Sequence, residues 1–304
     1  MTLTFGPILS RRFGMSLGLD LSPFKKQCNF DCLYCELAPA QTTNTQDSIV
    51  SVKELISALK IALSNHTNID VITLTANGEP TLYPHLEELI NEIDKIKGDT
   101  KTLILSNGAN ITETKIQKVL NKIDIVKLSL DCVNKKGFKK LDRAMESIDI
   151  DKIVSSMQHF KRQYNGEFII EVLFVKDIND KDDDITALKT ALEKIQPHRI
   201  DLGTIDRPPA FDVQPISYED LATIQTKLNP LPTNITSRNN SDVKPQSFTK
   251  EEILQTLKMR PFTQDDIDSL FDNNSQEILK SLVLDGLIVE NSIVNVVFYE
   301  TKIS

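Results

Sequence analysis

Cys28, Cys32 and Cys35 place three thiols within eight residues, Cys28-Asn29-Phe30-Asp31-Cys32-Leu33-Tyr34-Cys35, at the spacing C-x3-C-x2-C. Thiolates this close can close around a soft metal centre from a single loop, and cysteine is the usual protein ligand of iron-sulfur clusters. Three cysteines on a cubane leave one iron open to a small molecule. Structural zinc normally takes four protein ligands, and no C-x2-C or H-x3-H partner completes such a set here. The fourth cysteine, Cys132, lies almost a hundred residues on and reads as a buried bystander.

The elements that must position this loop are legible as alternating periodicities. Strands are predicted at Ser16 to Leu21, Asp70 to Thr75, Lys101 to Leu105, Ile125 to Leu130, Phe168 to Val175 and Arg199 to Ile205. Helices are predicted at Val52 to Ser64, Pro84 to Lys97, Glu113 to Asn121, Asp151 to Tyr164, Asp182 to Ile195 and Tyr218 to Leu228. Six βα units in strict alternation demand a parallel sheet with right-handed crossovers, so the expected fold is an α/β partial (β/α)6 TIM-like barrel. Such barrels carry their sites on the loops at the carboxyl ends of the strands. The cysteines, Asn77-Gly78-Glu79-Pro80, Ser106-Asn107, Ser129 with Asp131, and Arg207 all fall there. Arg11, Arg12 and Arg207 are candidates for the substrate side, since guanidinium suits phosphate or carboxylate; surface salt bridges are the competing role.

The cysteine spacing, with Tyr34 before the last cysteine, resembles the signature of the radical S-adenosylmethionine (radical SAM) superfamily. The resemblance implies one 4Fe-4S cluster on Cys28, Cys32 and Cys35, with S-adenosyl-L-methionine on the open iron, cleaved to a 5′-deoxyadenosyl radical that abstracts hydrogen. Asn77-Gly78-Glu79-Pro80 resembles the family's Gly-Gly-Glu motif, with Asn77 in place of the first glycine, and implies that Glu79 meets the methionine ammonium. By the same resemblance Ser106 and Asn107 lie by the methionine portion, Ser129 and Asp131 by the ribose or carboxylate, and Tyr34 near the cluster and adenine. Gly6-Pro7, Ser10-Arg11-Arg12-Phe13-Gly14, Ser16-Leu17-Gly18 and Arg207-Pro208-Pro209 look like the group related to tRNA wyosine-base synthases. The implied partners are an electron donor such as flavodoxin or ferredoxin and an RNA or protein substrate. The chain has no cysteine before Cys28, which sets it apart from wyosine synthases that add a second cluster.

The chain of 304 residues carries 35 Lys and Arg against 43 Asp and Glu, a net charge of -8 that argues against a broad nucleic-acid surface. No apolar run approaches the roughly 20 residues of a membrane span, and the cytoplasm is the expected compartment. The expected organisation is a barrel over 1–228, a Pro- and Asn-rich linker over 229–247 and a winged-helix-like domain over 248–304. That domain is read from helices at Lys250 to Leu257, Gln264 to Leu270 and Gln276 to Asp285, with a wing of Leu287 to Val289 and Asn295 to Tyr299. Its third helix offers Lys280 among Glu277 and Asp285, so duplex DNA is not an expected partner. An oxidoreductase or transferase of radical type in RNA modification, a glycyl-radical-enzyme activase and an iron-sulfur DNA-binding regulator are the competing functions.

Overall fold

The structure, a computed structural model, describes residues 3–10, 12–235, 245–259, 261–293 and 296–302. Arg11, residues 236–244 of the predicted linker and Asn295 lie outside the described residues. An antiparallel hairpin of Thr4–Ser10 (β1) and Gly14–Asp20 (β2) opens an eight-stranded sheet. From β2 onward each neighbouring pair is parallel, through Val71–Thr75 (β3), Lys101–Ser106 (β4), Ile125–Ser129 (β5), Glu167–Phe174 (β6), Arg199–Thr204 (β7) and Thr233–Ile235 (β8). The strands lie side by side in chain order. The crossovers carry Val52–Asn65 (α1), Leu86–Asp94 (α2), Thr114–Leu120 (α3), Lys135–Leu141 (α4), Ile150–Gln163 (α5), Asp182–Ile195 (α6) and Tyr218–Lys227 (α7).

Period-two alternation sorts each strand into two faces. Leu19, Leu74, Ile104, Val126, Ile170 and Leu202 are buried against the helices in one continuous core. Each such fully buried side chain contributes about 2 kcal/mol. Helix starts are fixed locally: Ser51 and Glu54 form a reciprocal capping box at α1. On the other face Val71, Leu103, Ile125 and Ile169 meet Phe13 from the β1–β2 turn, which plugs the amino ends of the strands. The polar positions above this plug, Thr73, Lys127, Glu171 and Asp201, therefore form a floor beneath the carboxyl-end rim.

The C-terminal unit consists of Lys250–Met259 (α8), Phe262–Thr263 (β9), Gln264–Leu270 (α9), Asn273–Leu284 (α10), Ile288–Ile293 (β10) and Val296–Thr301 (β11). Its strands form an antiparallel sheet in the order β10-β11-β9. Phe248, Ile253, Leu257, Phe262 and Phe271 share a core with Ile8 and Met15 of the hairpin. Gly6 donates its backbone N–H to Thr256 Oγ1 at 3.3 Å, and His66 Nε2 lies 3.2 Å from Glu252 Oε1. The unit thereby covers the edge strand β1, whose free backbone groups would otherwise face solvent. Among the described residues no helix is long and apolar enough to cross a membrane.

The six predicted strands and six predicted barrel helices form within a few residues of their expected ends. Three elements lie outside those expectations. β1 is interrupted by a register shift between Phe5 and Ile8, where Gly6-Pro7 hides the strand pattern. α4 has only Phe138 and Leu141 as inward apolar residues, too few to show a period. β8 occupies the start of the segment read as linker: Thr233, Asn234 and Ile235 pair with Ile200, Asp201 and Leu202, so the sheet runs past residue 228.

Candidate functional site

The cysteine loop follows β2 directly and is clamped from several sides. Thr43 donates its N–H to the Cys28 carbonyl at 2.8 Å, Ala210 does so to the Cys35 carbonyl at 2.8 Å, and Asp31 and Leu33 donate to the carbonyls of Asp142 and Leu141 at 3.2 and 2.9 Å. Phe30, between the first two cysteines, sets its ring edge-on against Phe138 of α4 at 5.5 Å. The Cys28 sulfur accepts from the Phe30 N–H at 3.4 Å and from Asn107 Nδ2 at 3.5 Å. Burial, then the Glu79 carboxylate, pushes the Cys28 thiol up to about 12. Burial likewise raises Cys32, whose sulfur lies 3.8 Å from Asp142 Oδ1, and Cys35, where the Lys26 ammonium partly offsets it. Burial pulls Lys26 down, but Asp31, Cys35 and Cys28 beside it leave its pKa raised.

Neutral, half-buried thiols of this kind ionise when a metal takes the sulfur. N–H donors and an ammonium turned toward sulfur suit the resulting anionic centre, so Cys28, Cys32 and Cys35 fit a metal-sulfur cluster by the chemistry of the donor set. Among the described residues no three Cys, His, Asp or Glu side chains converge on one point as a single ion would require. A cubane engages each cysteine through a different iron and makes no such demand. Cys132 is buried against Gly137, where an added Cβ would come within 2.3 Å of its sulfur, and lines the small cleft beside Asp142; glycine is what lets α4 lie so close.

A polar ring stands beside Cys28. Glu79 is buried, and its Oε1 accepts from Thr81 N–H at 2.9 Å, Thr81 Oγ1 at 2.5 Å and Ser106 Oγ at 2.7 Å, while Oε2 accepts from the Asn107 N–H at 2.8 Å. Asn107 passes the chain on to Asn29 Oδ1 at 2.7 Å, Asn29 to Asn110 Oδ1 at 3.1 Å, and Asn110 to Thr81 Oγ1 at 3.0 Å. All the donors to Glu79 are neutral, and burial raises its pKa despite them. Asn77 Nδ2 donates to Asp20 Oδ2 at 3.3 Å and to the Ser22 carbonyl at 3.1 Å, tying β3 to the end of β2. Gly78, at φ 130°, lets the backbone of Gln27 pass where a Cβ would meet its carbonyl at 2.0 Å, and Pro80 opens the short turn Pro80–Leu82 that Glu79 caps.

Across the rim, Tyr34 donates its hydroxyl to Asp131 Oδ2 at 2.5 Å, and Leu173 donates its N–H to Asp131 Oδ1 at 2.7 Å. Burial pushes Asp131 up to about 7. Asn107, Ser129, Asp131 and Asp142 line one small cleft. Asp142 Oδ2 is buried without a hydrogen-bond partner among the described residues, and burial with the neighbouring Asp131 holds Asp142 well above the carboxylate range.

Residues 22–188 of this chain match the radical SAM superfamily over more than half of its length. The chain belongs to the radical SAM superfamily. A UPF0026 protein of Helicobacter pylori strain J99 is 40% identical over 301 residues, covering 98% of this chain and 97% of its own. Two solved radical SAM structures share the fold. Streptococcus suis SuiB bound to the precursor peptide SuiA is 17% identical over 72% of this chain and 48% of its own, with a TM-score of 0.57. TYW1 with a lysine-pyruvate adduct bound is 16% identical over 70% of this chain and 72% of its own, with a TM-score of 0.51.

Within this radical SAM fold, Cys28, Tyr34, Glu79, Ser106, Asn107, Ser129 and Asp131 gather at the carboxyl-end rim. Two of the sequence-selected arginines have other surroundings. Arg12 enters from the amino ends, with Nη1 2.9 Å from Glu171 Oε1 and Nε 3.3 Å from Asp201 Oδ2, so it belongs to the floor and not to the rim. Lys127 Nζ completes that layer at 2.5 Å from Glu171 Oε1 and 3.5 Å from Asp201 Oδ2. Arg207 Nη1 meets both oxygens of Glu36 at 2.8 Å, pinning the β7 loop to the cysteine loop, and Asp266 of α9 adds to the field that raises it. Sequence reasoning passed over Asn29, Thr81 and Asn110, although Asn29 sits inside the cysteine motif. It also passed over Lys127, Glu171 and Asp201, charges at inward strand positions that alternation alone could have flagged.

Proposed function

We propose that this radical SAM protein is an enzyme that binds one 4Fe-4S cluster through Cys28, Cys32 and Cys35 and S-adenosylmethionine beside it, and abstracts hydrogen from a substrate held over the floor. Members of the superfamily normally use that cofactor pair, and when bound the pair supplies a 5′-deoxyadenosyl radical. The observation that carries the reading is the buried Glu79 carboxylate beside Cys28, surrounded by neutral donors where the methionine ammonium would supply the missing cation.

The chain's own residues have distinct parts in this reading. Phe30 N–H, Asn107 and Lys26 favour anionic sulfur; Ser106, Thr81 and the Asn107 N–H orient Glu79; Ser129, Asp131 and Tyr34 border the cofactor's far side. Arg207 and Glu36 stand at the mouth, and the C-terminal unit, a winged-helix-like domain in this reading, serves as a lid or protein contact. RNA or protein is the substrate class, with reduction by flavodoxin or ferredoxin. Lys280 on α10 is paired with Glu277 at 2.7 Å, which gives the DNA-regulator reading no support.

Anaerobic reconstitution tests the assignment. Iron and sulfide should bind in a one-to-one ratio, disappear in Cys28→Ala, Cys32→Ala and Cys35→Ala, and persist in Cys132→Ala. Zinc as the native metal, or iron lost with Cys132, would overturn it.

A further inference from the structure

Lys135-Lys136-Gly137-Phe138-Lys139-Lys140-Leu141 puts four lysines and no acid into one short helix of a chain whose net charge is -8. Lys136, Lys139 and Lys140 are spaced i, i+3 and i+4, a single stripe on one helical face, and Arg143 follows just past the helix end at φ 47°. Like charges at this spacing repel by a few tenths of a kcal/mol per pair. The stripe is not neutralised within the chain. Lys135 pairs with Asp151 at 2.9 Å, but Lys136, Lys139 and Lys140 are exposed and have no ion pair among the described residues. Arg143, by contrast, pairs with Asp31 at 3.4 Å and stacks over the Phe211 ring at 4.7 Å.

The opposite face of the same helix is the wall of the cysteine loop. Phe138 meets Phe30, Leu141 and Asp142 accept backbone hydrogen bonds from Leu33 and Asp31, and the Cys32 sulfur lies 3.8 Å from Asp142. The stripe and the thiols are thus separated by about one helix width, roughly 10 Å. Resting on the function proposed above, which needs one electron delivered to that loop, we propose that the outer face of α4 is the docking surface for an acidic one-electron carrier of the ferredoxin type. On a chain whose net charge is -8, an unpaired lysine stripe of this kind steers an acidic partner to the place where the transfer distance is short.

A nucleic acid would also favour lysines, but these turn away from the strands. The cleft nearest the cysteines, lined by Asp131 and Asp142, lies on the Phe138 side of α4, away from the stripe. The transfer balances simply: the donor's cluster is oxidised by one electron, the cysteine-bound centre is reduced by one, and no bond or proton is exchanged.

The test uses the full chain, reconstituted anaerobically, with a reduced acidic [2Fe–2S] ferredoxin as probe and rapid mixing as readout. The triple variant Lys136→Glu, Lys139→Glu, Lys140→Glu should be reduced at least about tenfold more slowly at low salt, the deficit should shrink as salt rises, and reduction by dithionite should stay as in the wild type. The triple arginine variant at the same positions should keep the wild-type rate. Reversal of Lys60, Lys118 and Lys194, which sit in the second halves of their helices toward the amino ends of the strands, gives the same net charge and should leave the ferredoxin rate within about twofold. Wild-type rates in the α4 variant, an equal loss in the far-end variant, or loss of bulk tRNA binding with an unchanged ferredoxin rate would each overturn the proposal. Failure of the wild type to assemble iron and sulfide is seen before any donor is added, and would overturn the cluster reading and this one with it.

Discussion

On the floor of the barrel Glu171 and Asp201 are matched by Lys127, Arg12 and Arg199, whereas at the rim of the same sheet Asp20, Glu79 and Asp131 are held by neutral donors. Burial acts on both sets in the same direction. It wins at the rim, lifting Asp20 to about 6 and Asp131 to about 7; on the floor Lys127 and Arg12 overcome it and hold Glu171 down at about 2. The floor is therefore electrostatically complete within the chain. The rim carboxylates are held by neutral donors instead, an arrangement that suits the cationic cofactor proposed above.

The largest expected effect breaks the floor. Lys127→Met should destabilise the metal-free protein by about 3 kcal/mol, the low end for a broken buried pair, because it takes the ammonium from buried Asp201 while solvent screens part-exposed Glu171. The double variant Lys127→Met, Glu171→Leu should recover much of that loss. Urea unfolding measures both, and a single-variant loss under about 1 kcal/mol would mean that solvent, and not Lys127, compensates the floor.

A smaller effect tests the rim through pH. The folded pKa of Asp20, about 6, lies above its ordinary 3.8, so the unfolded chain ionises first and Asp20 costs stability increasingly as pH rises from about 4 through 6. Asp20→Asn removes that cost and loses part of the bonding with Ser22 and Asn77. The variant should gain about 2 kcal/mol on the wild type between pH 4 and pH 7, and parallel stability curves would show that Asp20 keeps its ordinary affinity for the proton.

The smallest expected change in the fold accompanies a selective change in binding. Glu79→Gln trades one hydrogen bond for relief of a desolvated charge, so metal-free stability should move by no more than about 1 kcal/mol. Affinity for S-adenosylmethionine should fall about tenfold or more, read from the cofactor's effect on the electron paramagnetic resonance of the reduced, reconstituted protein. Unchanged affinity would leave Glu79 as the cap of Pro80–Leu82 and the orienter of Asn107.

By itself the sequence determined the alternation of strands and helices, the parallel sheet, and the cysteine loop at its carboxyl end, because periodicity and thiol spacing are local properties that survive without neighbours. It also marked Glu79, Ser106, Asn107 and Asp131 as rim residues, since strand ends define the rim. What each side chain meets was decided only in three dimensions. Asn77 turned out to brace Asp20 and Ser22; Arg12, itself a candidate for the substrate side, reaches the floor because a hairpin turn carries it under the sheet. Asn29, Asn110 and Thr81 close a ring around Glu79 from three separate crossovers, a convergence that no spacing records. β1 and α4 needed the tertiary structure for the same physical reason: a bulged edge strand and a seven-residue lysine-rich helix have little periodic burial of their own, and are held by Thr256 and by Phe30.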